Sequence, residues 1–60
     1  MKRITIKVNS EEVDIIVPPN DVSRIEERIE NKKGVLFTNM YCINFEKDKV
    51  SIINVEDYTF

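Results

Sequence analysis

The side chains able to do chemistry in this 60-residue chain are one cysteine, Cys42, and the carboxylate pairs Glu11-Glu12, Glu26-Glu27 and Glu56-Asp57. Histidine is absent, so the usual general base near neutral pH is missing and neither a Ser-His-Asp nor a Cys-His arrangement can be assembled. Cys42 would act as a nucleophile only beside a cation that lowered its pKa. Flanked by Tyr41 and Ile43 in an expected strand, it reads as a packed, inert thiol. A single thiol cannot supply a zinc site, and it excludes an internal disulfide, which fits a reducing compartment. The carboxylate pairs do not converge, because neighbours on a strand point to opposite faces and neighbours on a helix diverge. They read as solvated surface. Glu46-Lys47-Asp48-Lys49 lacks EF-hand spacing and its lysines would repel calcium, which leaves a turn. With Gly34 as the only glycine, no phosphate-cradling loop can form. The expectation is a non-enzymatic protein with no cofactor and no metal.

Strands and one helix must position whatever these groups do. Residues 3–8 alternate, with Ile4, Ile6 and Val8 on one face and Thr5 and Lys7 on the other, the period of a half-buried strand. After the polar turn Asn9-Ser10-Glu11-Glu12, Val13, Ile15 and Val17 resume the alternation up to Pro18-Pro19, where neither proline can donate to a ladder. That is a hairpin. Over residues 20–33 the period changes: Val22, Ile25 and Ile29 make one apolar stripe among charged residues, an amphipathic helix. Asn20 or Asp21 would cap it, or a Ser23/Glu26 capping box one turn later. Lys32 and Lys33 complement its C-terminus, and Gly34 suits the left-handed residue that follows. Strands return at 35–38, 41–45 and 50–56, separated by turns at Asn39-Met40 and Glu46-Lys47-Asp48-Lys49. The order is ββαβββ. The fold class is α+β, a small, mostly antiparallel sheet or partly open barrel with one amphipathic helix, in a single domain over residues 1–60.

A chain this short buries only ~60% of the surface that its unfolded form exposes, so docking on a partner or on itself would add contacts that one thin core lacks. Several strands are also apolar on both faces. If Ile15, Phe37 and Ile52 face the helix, pleating sends Ile16, Leu36 and Ile53 to the opposite side, and one helix covers one face only. Barrel closure, a second copy or a different protein would have to cover the rest; association is expected ahead of barrel closure, with the chain self-associating as a homo-oligomer. Phe37 and Phe45 are expected in the core. Met40-Tyr41 at a turn and Tyr58-Thr59-Phe60 at the end offer further contact area, since Tyr, Phe and Met are enriched where proteins meet. The expected partner or dimer interface is therefore Ile16, Leu36, Met40, Tyr41, Ile53, Tyr58 and Phe60.

Nine basic and eleven acidic residues leave a formal charge of −2, with the acidic excess near Glu56 and Asp57. The longest basic runs are the pairs Lys2-Arg3 and Lys32-Lys33, so the clustered cations that drive binding to a phosphate backbone are missing. A small nucleic-acid-binding regulator is the alternative reading. It needs the fold to gather Lys2, Arg3, Lys7, Lys32 and Lys33 on one face. The start of the chain alternates polar and apolar residues rather than running into a signal-peptide stretch, and nowhere do ~18 apolar residues follow one another. A cytoplasmic protein without a membrane segment is expected.

The run Ile43-Asn44-Phe45-Glu46-Lys47-Asp48-Lys49-Val50-Ser51-Ile52 resembles the ending of short proteins from phages and prophages of low-GC Gram-positive bacteria, as does the composition, rich in Ile, Asn and Lys and free of Ala. The resemblance implies a small accessory protein that binds and disables a host or anti-phage defence protein. It carries no catalytic or binding residues onto this chain.

Overall fold

A computed structural model of the chain describes residues 1–38 and 41–59. β1 (Lys2–Val8) and β2 (Glu11–Val17) form the expected hairpin, in register from Lys2↔Val17 to Val8↔Glu11. Two residues suffice for the turn because Asn9 takes φ 58°, a left-handed conformation that asparagine tolerates and that follows the strand twist. Glu11 and Glu12, expected in the turn, are consequently strand residues.

α1 (Pro19–Asn31) begins immediately after β2, with Pro18 at the N-cap. Proline's fixed φ suits the first helical position, where an N–H would have no intrahelical partner. The expected side-chain cap is not made. Asp21 N–H donates to Pro18 C=O at 3.0 Å, and Ser23 Oγ donates to Asn20 C=O at 3.4 Å instead of closing a capping box. At the other end the left-handed residue is Lys32, with φ 54° and ψ 48°, and Lys33 N–H closes onto Arg28 C=O at 3.3 Å. Gly34, at φ 89°, serves the entry to the next strand, its C=O accepting from Phe45 N–H at 3.0 Å.

β3 (Val35–Phe37) and β4 (Cys42–Asn44) form a two-stranded antiparallel ladder of their own, pairing Leu36 with Ile43 and Phe37 with Cys42. β5 (Val50–Asp57) returns along the other side of β1, so the three-stranded sheet has the order β2-β1-β5 with β1 in the centre. All pairings are antiparallel and the sheets stay open rather than closing into a barrel. The α+β class and the ββαβββ order agree with the sequence reading.

Ile4, Ile6 and Val8 of β1, Ile15 of β2, Ile25 of α1, Ile43 of β4, and Phe45 form the buried core. The helix and the short ladder therefore share the task of covering the inner face of the three-stranded sheet. This corrects two expectations. Phe37 is 76% exposed rather than in the core, and Leu36 packs against the core rather than facing away from it. The reason is register: β3 pairs with β4 and not with the main sheet, and the Leu36–Ile43 pair points inward together.

Candidate functional site

The outer face of the main sheet is polar along its centre, because Arg3, Thr5 and Lys7 alternate with the buried residues of β1. Arg3 forms an ion pair with Glu56 of β5, and Thr5 Oγ1 donates to Asp14 Oδ1 at 2.7 Å. Lys2 pairs with Asp57, whose carboxyl is held below its ordinary value by the hydrogen bond and charge of that ammonium. The two-sided apolar sheet expected from the sequence is thus interrupted by a charged central stripe. Ile16, 40% exposed, lies on one side of that stripe, opposite Arg3. Ile53, 50% exposed, lies on the other. It is the extra residue of a β-bulge in β5, without a partner on β1 between the Thr5–Asn54 and Ile6–Ile52 pairs.

Ile16 and Phe37, with Val35 nearby, lie at a separate groove, away from exposed Met1, Ile53 and Val55. An open groove of about 560 Å³ runs between residues 13–17 of β2 and the side chains of Leu36, Phe37, Thr38 and Tyr41. Ile16 and Phe37 both line it, and Val35, exposed, is two residues from Phe37 on the same face of β3. Its wall is held in place by specific bonds. Thr38 N–H and Oγ1 both donate to Tyr41 C=O, at 2.7 and 3.1 Å, and Arg28 Nη1 donates to Val35 C=O at 3.1 Å. Tyr41 spans the gap to β2, donating its phenol to Glu11 Oε2 at 2.8 Å; that bond and the nearby carboxylate raise the phenol's pKa above its ordinary value.

Of the expected interface residues, Ile16, Leu36 and Tyr41 come together along this groove, with Leu36 and Tyr41 also packed against the core. Ile53 sits apart on β5, and Tyr58 is half-buried, its N–H donating to Met1 C=O at 3.0 Å. Met40, Phe60 and the turn at Asn39-Met40 lie outside the described residues. Phe37 and Val35 were not expected at the interface. A three-residue apolar strand carries no alternation from which its outward face could be read.

Cys42 is exposed opposite Phe37, not packed, because the outward face of β4 has nothing over it among the described residues. The five cations of the nucleic-acid reading are not gathered: Lys2 and Arg3 are ion-paired with β5 residues, while Lys7 and Lys32 line a different groove of about 510 Å³. That groove also holds Lys47 and Lys49, with Glu46 and Asp48 among them. A side-chain network orders its floor: Asn44 N–H donates to Asp48 Oδ2 at 3.1 Å, and Asn9 Oδ1 accepts from Lys49 N–H at 3.0 Å. Among the described residues no three His, Cys, Asp or Glu side chains gather as metal ligands, and no helix is long and apolar enough to cross a membrane.

No family model, no curated protein and no solved structure matches this chain.

Proposed function

We propose that this protein is a non-enzymatic protein-binding module that acts by covering part of its partner's surface. One observation carries the reading: Phe37 is 76% exposed on a hairpin whose register holds it outward, beside a groove that Ile16 also lines. Leaving a phenylalanine in water forgoes most of the ~1.5–3 kcal/mol that burial contributes, and contact with a partner recovers it. Exposed aromatic side chains of this kind act as anchors in protein interfaces. The likeness of residues 43–52 to short phage and prophage proteins favours a host or anti-phage defence protein as the one that is occluded.

The test is affinity capture from host lysate with the wild-type chain and with Phe37→Ser, alongside a photocrosslinking residue placed either at position 37 or at exposed Glu27 on α1. A protein retained in stoichiometric amount by the wild type, lost with Phe37→Ser and crosslinked from position 37 but not from 27 is expected. Identical capture by both chains would remove the basis for the reading.

A further inference from the structure

We propose that the open edge of β2 receives an extended, basic and β-branched segment of the partner as an added strand; this deepens, and rests on, the protein-binding reading above. The backbone places the necessary groups. Asn9 N–H donates to Lys49 C=O at 2.7 Å and Tyr58 N–H donates to Met1 C=O at 3.0 Å, so the odd-numbered positions at both ends of β1 are bonded toward β5. Main-chain groups of an antiparallel strand alternate in direction, and the β1–β2 register runs without a shift. The even positions of β1 therefore bond to Glu11, Val13, Ile15 and Val17. It follows that the N–H and C=O groups of Glu12, Asp14 and Ile16 point away from β1. β2 has no ladder partner on that side among the described residues. A row of unpaired donors and acceptors is a template for one more strand.

Charge selects the occupant. Among the described residues Asp14 is the only charged side chain lining the groove, Glu11 and Glu12 continue the acidic run along β2, and β3 carries no charge. A second copy of this chain is poorly matched, because two β2 strands paired about their centre would set Asp14 against Asp14. A basic segment is well matched. Residues of the added strand opposite Glu12 and Asp14 share the outer face with them, which calls for Lys or Arg there. The residues in between share the inner face with Val13, Ile15 and Val17, which calls for Val or Ile.

The experiment uses the full chain, isotope-labelled, and a synthetic peptide of about seven residues, the length of β2, with Lys alternating with Val and Ile. On titration at low salt, the amides of Glu12, Asp14 and Ile16 should gain protection from hydrogen exchange, while those of Val13 and Ile15 keep the protection they already have. N-methylation of the peptide's lysine amides should abolish binding, and N-methylation of its Val and Ile amides should leave it intact. Glu12→Gln with Asp14→Asn, which keeps an acceptor for Thr5, should weaken binding by about two- to thirtyfold, the range for two exposed charge pairs. The proposal is overturned if the peptide does not bind, if its Glu-for-Lys counterpart binds as well, or if the three edge amides stay unprotected. Sedimentation of the free protein as a dimer with those amides protected would assign the edge to a second copy and overturn it too. Crosslinking of a partner from position 37 without edge protection would refute strand addition alone and leave the protein-binding reading standing.

Discussion

Replacing Phe45 or Phe37 with alanine removes the same atoms from two sites of opposite exposure, 2% at Phe45 and 76% at Phe37. Phe45 belongs to the core formed with Ile43 and the β1 isoleucines, so its truncation leaves a cavity as well as a lost transfer term, about 3–5 kcal/mol together. A domain of 60 residues has roughly 3–9 kcal/mol of stability in all. Phe45→Ala should therefore unfold much or all of the population at room temperature. At Phe37 only about a quarter of the side chain is covered, which scales the ~1.5–3 kcal/mol of full burial down to about 0.5 kcal/mol. Urea titrations followed by far-ultraviolet circular dichroism would read both, with Phe45→Leu as a milder core variant that stays folded and loses about 1–2 kcal/mol. Equal losses at the two positions would mean that Phe37 is covered in solution. The outward face of β3, and the binding surface built on it, would then be misassigned.

Lys32→Gly should stabilise the fold by about 0.5–1 kcal/mol, because the left-handed φ of 54° costs a side chain that glycine does not carry; a lower urea midpoint would contradict this. Asn9→Ala should destabilise by about 1 kcal/mol more than Asn9→Gly, since both lose the side-chain bonds to Asp48 and Lys49 but only alanine also strains φ 58°. The Lys2–Asp57 pair lowers the folded pKa of Asp57, so its contribution is fully present above the ordinary value of 3.8 and is lost as pH falls through the lowered one. Lys2→Gln should return the Asp57 carboxyl toward that ordinary value in an NMR titration. Tyr41 has the opposite linkage, its folded pKa raised, so its contribution holds below 10.0 and is lost as pH rises beyond it. Tyrosinate absorbance in a Tyr58→Phe background should shift down with Glu11→Gln. Cys42 should react fully with a thiol reagent in the native state, at a rate that urea below the unfolding transition leaves unchanged; labelling only on unfolding would show a packed thiol.

Where the sequence carried period and polarity together, it was enough. The alternation Ile4, Ile6, Val8 against Thr5, Lys7 defined β1 and its faces, and the Val22, Ile25, Ile29 stripe defined α1. Tertiary structure alone decided where three apolar residues in a row would point. Val35-Leu36-Phe37 reads the same for either parity, and only the pairing of Leu36 with Ile43 turned Phe37 outward and brought it beside Ile16. The same holds for the open edge of β2, which follows from β5 taking the other side of β1. Local pattern specifies an element and its buried face, because burial acts residue by residue. Which strand lies next to which is settled by contacts between residues far apart in the chain, and no short window of sequence contains them.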